Sequence, residues 1–230
     1  MDAHDVTTPL RTRLAGLSML AGGIVLAVPP FLGPASGSDD TRSRLVYDAA
    51  HSTTELAKAL VFQAAALLLL PGVAAIAGRV RGRGSVAVLS GAVVYGAGLV
   101  GISCFFVLAG IEVSLASSGP IDGRLILVSD AIGSSPAAVP AAVLGLFLFH
   151  LIGLPWLTFG MVRARMLPLV VAVAATVGTV CAFFGSGTWA ESVGWVVLGA
   201  TLAYIGWTVA RPSAPAIVGA EPGSLARSAA

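Results

Sequence analysis

Long apolar stretches, separated by turns that carry arginine, constrain the fold of this chain more than any other sequence feature. Eight arginines stand at the ends of these stretches: Arg11, Arg13, Arg79, Arg81, Arg83, Arg163, Arg165 and Arg211. Gaps that carry this mark alternate along the chain with gaps that lack it. The alternation is typical of a protein that crosses a membrane several times and keeps its arginine-rich side in the cytoplasm.

The composition excludes an ordinary soluble domain. Hydrophobic residues make up 57% of the 230 residues and charged residues 10%, whereas about 25% charged residues is usual for soluble domains. Nine of the thirteen basic residues fall on the proposed cytoplasmic side, and eight of the eleven acidic residues fall on the other side. Nucleic-acid binding is not expected, because it needs a solvated basic face. The single lysine, Lys58, among many Arg, Ala and Gly residues is typical of a GC-rich bacterial genome.

We predict an all-α fold, a bundle of six transmembrane helices with both termini in the cytoplasm. The predicted spans are residues 14–32, 56–77, 85–111, 141–161, 167–184 and 193–210. Residues 1–10 form a polar arm, and residues 1–211 form a single transmembrane domain. Residues 212–230 are rich in Pro, Ser, Ala and Gly, which predicts a disordered cytoplasmic tail.

Two longer segments are predicted on the side opposite the arginines. Residues 34–51 read as a loop, and Ser52-Thr-Thr-Glu55 then fits a capping box at the start of the second span. The other segment comprises residues 117–138. Within it, residues 121–132 are expected to form a short helix at the membrane interface. The third apolar stretch continues to about residue 116, roughly 48 Å of helix, which exceeds a ~30 Å hydrocarbon core. It is therefore expected to tilt, to project outward or to break near its glycines.

His150 is the clearest titratable residue at membrane depth. It lies 10 residues after Pro140 and 11 before Met161, near the middle of the fourth predicted span. It could serve as a haem or metal ligand, a proton carrier or a general base. The interpretation we favour is a neutral imidazole that is hydrogen-bonded across the bundle, for instance to Tyr95. Since no second histidine, acid or cysteine is level with it, no metal site is predicted and the cofactor stays unassigned.

A second group of candidates clusters on the side opposite the arginines: His51, Glu55, Lys58, Glu112, Asp130 and Glu191. Glu112 is flanked by apolar residues, so it either faces inward with His51 and lines an entrance for a cation or substrate, or forms a solvated or salt-bridged interfacial residue. We favour the second interpretation, with Lys58 or Arg124 as its partner. Glu55 and Lys58 are three residues apart on one helix and are expected to pair with each other.

Three polar or sulfur-containing side chains inside the spans are expected to have structural roles and not chemical ones. Gln63 is expected to form a hydrogen bond between helices. Cys104 and Cys181 can form a disulfide only if their helices touch, and we favour two buried free thiols. Small residues four positions apart, as in Ala97 with Gly101, indicate close packing of helices.

The region from Phe147 to Pro168 resembles a bacterial family of uncharacterised multi-span membrane proteins. The resemblance rests on an H-L … G … R … P pattern, formed by His150-Leu151, Gly160, Arg163, Arg165 and Pro168, and on Arg13-Leu-Ala-Gly16-Leu17, which is similar to that family's R-x-x-G-L opening. It covers a few dozen residues. It implies a multi-span topology and a bacterial membrane and makes His150 a feature of that family, but it assigns no role to His150 and no activity to the protein.

These observations lead to one functional hypothesis and two alternatives. The first is a protein of the plasma membrane that binds or passes a small or lipid-like ligand, with candidate ligand-binding residues His150, Tyr95, Glu112, His51, Glu55 and Gln63. The second is a membrane-embedded enzyme that acts on a lipid or isoprenoid, with Glu112 or His150 as general acid-base. The third is an assembly subunit of a larger membrane complex, with a partner protein or a second copy of the chain.

Overall fold

The computed structural model describes residues 3–33, 40–80, 82, 84–135, 145, 151–185 and 188–211. The helices are α1 (Ala3–Leu26), α2 (Thr41–Ala50), α3 (Ser52–Arg79), α4 (Ser85–Ser118), α5 (Gly123–Gly133), α6 (Leu154–Arg163), α7 (Leu169–Phe184) and α8 (Trp189–Ala210), with a 3₁₀ turn at Pro29–Phe31. Every regular element in these ranges is helical, so the predicted all-α class is confirmed there. The predicted polar arm is helical from Ala3 onward.

Within the described residues, four helical segments are long and apolar enough to cross a membrane. They are Leu10–Phe31, Ser52–Arg79, Ser85–Ser118 and Trp189–Ala210. Two shorter apolar helical segments, Leu151–Arg163 and Leu169–Phe184, accompany them. The residues of the predicted fourth span before 151, apart from 145, lie outside the described residues, as does the predicted tail 212–230.

Six helices form a closed ring in the order α1, α3, α4, α6, α7, α8 and back to α1. Contacts on α1 show how its neighbours run. Met19 packs against Gly72, whereas Gly22, further along α1, packs against Leu69, so α1 and α3 are antiparallel. Connections of four or five residues join α3 to α4, α6 to α7 and α7 to α8, so these pairs are antiparallel as well.

The remaining two seams follow the same rule. Gly16 of α1 packs against Ala210 of α8, and Gly23 packs against Ala203, so these helices run in opposite directions. On α4, Gly91 packs against Leu157 of α6. Gly160 of α6 packs near residues 87 and 88, which makes that pair antiparallel too. The starts of α1, α4 and α7 therefore lie at the same end of the bundle as the ends of α3, α6 and α8.

Arginines collect at this end of the bundle, which we call the arginine end. Arg11 and Arg13 lie near the start of α1, Arg79 and Arg163 end α3 and α6, and Arg165 and Arg211 follow α6 and α8. The Nη1 atom of Arg79 donates to the carbonyl of Val209 at 2.7 Å, and the Arg211 guanidinium lies 5.0 Å from the ring centre of Trp207. Arg81 and Arg83 lie outside the described residues.

Glycines bring the backbones of α1 and α8 into close contact. A Cβ at Gly206 would come within 2.7 Å of the carbonyl oxygen of Gly16, and one at Gly199 would overlap the backbone of Gly23. In the pair Ala97 and Gly101, which the spacing of small residues singled out, Gly101 is buried and the side chain of Ala97 is exposed. Backbone-to-backbone packing of this kind stabilises helix pairs in membranes without a hydrophobic driving force.

The segment predicted as the first loop is partly helical. Asp40 caps α2, because its carboxylate accepts from the backbone N–H of Ser43 at 2.8 Å. The predicted capping box is wrong: His51 is the N-cap residue of α3, and no side chain caps that helix. Helical hydrogen bonding runs through this point, since Glu55 N–H donates to the carbonyl of His51 at 3.0 Å, and Ser52 already lies inside the helix.

Two further expectations concern the end of the bundle opposite the arginine end: the short helix and the long third apolar stretch. A helix does form near residues 121–132, as α5, and Asp122 caps it by accepting from the N–H groups of Arg124 and Leu125 at 3.0 Å. The α4 helix runs unbroken over 34 residues, about 51 Å, so of the three expected alternatives the break does not occur. The last turns of α4 extend beyond a ~30 Å core. Both α2 and α5 pack against α4.

Candidate functional site

A cavity of about 610 Å³ opens at the end of the bundle opposite the arginine end. We call it the polar cavity. It lies among α2, α3, α4, α8 and the 3₁₀ turn. Its charged lining residues are Arg44, Asp48, Glu55, Lys58, Glu112 and Glu191, and its large apolar ones are Pro29, Pro30, Phe62, Phe106, Trp189 and Trp195. The site therefore combines a charged rim with aromatic walls.

An ion pair between α2 and α4 closes one wall. Arg44 binds Glu112 through both nitrogens, Nη1 to Oε2 at 3.2 Å and Nη2 to Oε1 at 2.8 Å. Ser129 of α5 donates its hydroxyl to the same carboxylate and accepts from Arg44 Nη2 at 3.2 Å. Glu112 is thus salt-bridged, as we favoured, but its partner is Arg44 and not Lys58 or Arg124. The bidentate geometry ties α2 and α5 to the end of α4.

A second ion pair forms within α3. Lys58 Nζ lies 2.7 Å from Glu55 Oε1, and both side chains are largely buried. The predicted pairing of these two residues is confirmed. The pair places two opposite charges on the cavity wall, where they cancel.

Asp48, like Arg44, is a charged residue of this site that was not among the candidates from the sequence. It is 9% exposed and lines the cavity from α2. Its pKa is raised to about 6, chiefly by burial; the carboxylate of Glu55 also raises it, and the guanidinium of Arg44 acts the other way. No residue in the described part of the chain donates a hydrogen bond to its carboxylate. Its three-residue spacing from Leu45, which is fully buried, is the signal that could have found it.

Three aromatic rings form the floor of the polar cavity. Phe62 stacks on Phe106 with ring centres 4.3 Å apart and meets Trp195 edge-on at 4.8 Å. Below this floor lies a void of about 10 Å³, bordered by Leu26 and Leu99 among others. Such a void holds one water molecule at most. The polar cavity is therefore closed toward the arginine end in this structure.

A second concavity, of about 490 Å³, lies between α3 and α4. We call it the α3–α4 groove. Its apolar lining includes Leu56, Leu60, Val107, Gly110, Ile111 and Leu115. It shares Ala59 and Phe106 with the polar cavity, so the two spaces adjoin. Gln63 also lines the groove, and its buried Oε1 accepts no hydrogen bond from the described residues.

The structure brings together only part of the predicted ligand-binding set. Glu55 and Glu112 line the polar cavity, and Gln63 lines the adjoining groove. His51 is exposed and turned away: its ring stacks on Tyr47 at 4.2 Å, and its Nδ1 lies 2.9 Å from the Tyr47 carbonyl oxygen. Tyr95 is fully buried in the hydrophobic core and is not a lining residue of the polar cavity.

His150, the residue we predicted near the membrane midplane, lies outside the described residues. Among the described side chains, no group of three or more His, Cys, Asp or Glu residues could hold a metal ion. Both cysteines are free; Cys181 is half-buried and Cys104 is exposed, so a buried thiol at Cys104 is a wrong expectation. Its exposure follows from its place on the outer face of α4.

The fold and the site define an all-helical protein with membrane-length helices and a charged, aromatic cavity at one end. No family model matches the chain, and neither a curated protein nor a solved structure matches it. The functional argument therefore rests on the cavity itself.

Proposed function

We propose that this protein crosses the bacterial plasma membrane six times, with both termini in the cytoplasm, and binds a small or lipid-like ligand in the polar cavity. The observation that carries the proposal is the cavity of about 610 Å³, which joins charged and aromatic walls at one end of an apolar bundle. A volume in this range is usual for small-molecule sites, which combine apolar walls with a few polar groups.

The topology is supported by the one-sided arginines. The antiparallel ring puts the arginine end on one side of the bundle, and the positive-inside rule assigns that side to the cytoplasm. The shorter helices α6 and α7 complete the ring between α4 and α8, which supports six spans in place of four. The polar cavity then opens toward the outside of the cell.

Binding of a ligand in the polar cavity has more support than passage of a ligand through the bundle. The aromatic floor of Phe62, Phe106 and Trp195 separates the polar cavity from tightly packed core residues. The enzyme alternative has less support, because Arg44 and Ser129 hold the carboxylate of Glu112 and His51 faces elsewhere. A positioned acid-base pair is what that alternative requires.

Native mass spectrometry of the protein extracted gently from its own membrane tests the proposed function. We expect an equimolar retained mass that is lost in Ala109→Phe, which fills the polar cavity, and kept in Ala97→Phe, an exposed site on the same helix. A bare chain in every preparation would overturn the proposal. A co-purifying protein without a small ligand would overturn it in favour of the assembly subunit.

The topology is tested separately by labelling single cysteines in cells. The protein used carries Cys104→Ser and Cys181→Ser, so each introduced cysteine is its only thiol. A cysteine introduced at Ser118 is expected to react with a membrane-impermeant maleimide added outside the cell. One introduced at Gly82, in the turn between α3 and α4, is expected to react only after permeabilisation. Labelling of Gly82→Cys in intact cells would reverse the proposed orientation.

A further inference from the structure

The polar cavity and the α3–α4 groove can be occupied by one molecule. They meet at Ala59 and Phe106, so no helix separates them. One side of the combined space is charged, and the other is lined mainly by aliphatic side chains. A ligand that fills both must have a polar head and a hydrocarbon chain.

The charges of the polar cavity select the sign of the head. Four carboxylates line it, against the two basic side chains of Arg44 and Lys58. Each basic group already binds a carboxylate, of Glu112 and Glu55 respectively. The cavity therefore carries an excess of negative charge, which favours a cation and disfavours a phosphate or carboxylate head.

Asp48 gives that cation a specific place. Asp48 as a residue is nine-tenths buried on the cavity wall, and its carboxylate receives no hydrogen bond from the described residues. A primary ammonium group offers three N–H donors, which satisfy such a carboxylate, and the faces of the aromatic floor also attract an organic cation. No described cluster fits a metal ion, so an organic cation suits the site better.

The groove provides for the rest of the molecule. Along α3, Gln63 lies one turn beyond Ala59, where the two spaces meet, and its buried Oε1 can accept from an amide or hydroxyl near the head. The aliphatic residues of the groove, among them Leu60, Ile111 and Leu115, suit a hydrocarbon chain. The groove lies between the cavity-end turns of two membrane-length helices, so the chain can reach it from the face of the bilayer on that side.

We propose that the ligand is a membrane amphiphile with a primary-amine head, which places its ammonium beside Asp48 and its chain in the α3–α4 groove. This inference rests on the proposed function and names its ligand class.

This ligand class is tested by measuring, with native mass spectrometry, how four probes bind to the full chain in detergent at pH 7.5. Hexadecylamine, hexadecanol and hexadecanoic acid share one chain and differ in the head, and propylamine has the head without a long chain. We expect hexadecylamine to bind at least tenfold more tightly than each of the others. An equal or higher affinity for the acid or the alcohol would overturn the amine head, yet leave the proposed function standing.

Two matched pairs of variants locate the head and the chain. Asp48→Asn is expected to weaken hexadecylamine about tenfold and hexadecanol hardly at all, whereas Asp130→Asn, at an exposed carboxylate of α5, leaves both unchanged. Gly110→Leu fills the groove and is expected to weaken every long-chain probe tenfold or more, whereas Gly96→Leu on the same helix has no effect. A Cβ at Gly110 meets only Leu56, at 3.9 Å, and one at Gly96 meets nothing within 4 Å, so both variants can fold.

The two proposals fail in different ways. Unchanged hexadecylamine binding in both Asp48→Asn and Gly110→Leu would overturn this inference even if a native ligand is retained. If no probe binds and the protein also leaves its membrane bare, both the inference and the proposed function are wrong. Size-exclusion profiles of each variant show that a loss of binding is not a loss of folding.

Discussion

Two seams of the ring place glycine at a helix interface and use it in opposite ways. At the α1–α8 seam, Gly206 lies so close to α1 that an added Cβ would overlap the backbone around Gly16 and Leu20. At the cavity end of the α3–α4 seam, a Cβ at Gly110 would meet only the tip of Leu56 at 3.9 Å. Glycine brings two backbones together in the first seam and leaves open space in the second.

The difference shows that a small residue does not by itself determine what an interface does. Backbone atoms cannot move aside without shifting a whole helix, so the α1–α8 seam is closed to any larger side chain. The α3–α4 seam is tight further down, where Leu69 and Leu99 are fully buried, and opens only toward the polar cavity. One seam stabilises the bundle, and the other leaves room for a ligand.

Replacing Gly206 by Leu is expected to have the largest effect. The new side chain must push α8 away from α1, at a cost at or above the ~3 kcal/mol upper range for overpacked cores. Thermal unfolding in detergent, with the monodisperse fraction by size exclusion, measures the loss. Gly96→Leu adds the same side chain where nothing lies within 4 Å and is the control. An unchanged midpoint for Gly206→Leu would mean that the two helices do not meet in this way.

Breaking the Arg44–Glu112 pair should have an intermediate effect, confined to the cavity end. The Glu112 side chain is 13% exposed and that of Arg44 is 40% exposed. We expect the cost of Glu112→Ala to lie between the values for surface and buried pairs, about 1 to 2 kcal/mol. Hydrogen exchange should then rise in α2 and α5 and stay constant in α1 and α8.

A double-mutant cycle with Arg44→Ala isolates the energy of this pair, and Arg42→Ala, at an exposed neighbour, is the control. Increased exchange along the α1–α8 seam would contradict the independence of the two regions. A coupling energy near zero would remove the pair from the forces that hold α2 in place.

Asp48 gives the cavity end a pH dependence that the α1–α8 seam lacks. Burial raises its pKa from 3.8 to about 6, with Glu55 and Glu112 acting in the same sense and Arg44 and Lys58 opposing it. The folded protein therefore binds more protons than the unfolded chain between pH 4 and 6, and it loses stability as the pH rises through this window.

Asp48→Asn is expected to raise stability by about 1 kcal/mol at pH 7.5 and by little at pH 4.5. The full shift in the pKa of Asp48 would correspond to a larger gain in stability, but water in the cavity and the buried amide of Asn reduce that gain. Thermal midpoints at the two pH values measure it, with Asp130→Asn as the exposed control. A gain of equal size at both pH values would show that ionisation of Asp48 is not its source.

Much of this fold follows from local sequence, whereas the site depends on distant contacts. Apolar length predicted the long helices, and a short helix was expected over residues 121–132, where α5 forms. Arg44 and Glu112 are 68 residues apart, and the pattern of neither segment indicates the other. The helix α2 could have been predicted, because Asp40 is a typical N-cap residue and the next ten residues contain neither Gly nor Pro.

The contrasting outcome for the capping box has a similar cause. Ser52 and Glu55 fit the pattern, but a capping box needs the Ser at the N-cap position. The N-cap residue is His51, whose backbone bonds to both α2 and α3, and Ser52 is already the first residue of α3. The glycines show the same limit: spacing predicts that Gly101 or Gly206 meets a neighbour, but not which helix lies opposite or how closely. The order of the helices around the ring decides which helix lies opposite a given glycine, and this order is a property of the whole chain.

The smallest expected change in stability belongs to Gly110→Leu, and its smallness is informative. Leucine has a higher helix propensity than glycine by up to about 1 kcal/mol, and open space at the groove lets its side chain fit, so the midpoint should stay the same or rise slightly. Thermal unfolding beside Gly206→Leu and Gly96→Leu gives three identical additions in one experiment. A loss at Gly110 as large as that at Gly206 would mean that the α3–α4 groove is closed in the folded protein. An unchanged midpoint would show that the groove is not needed for packing, and a space that folding does not require is the kind of space that a ligand can fill.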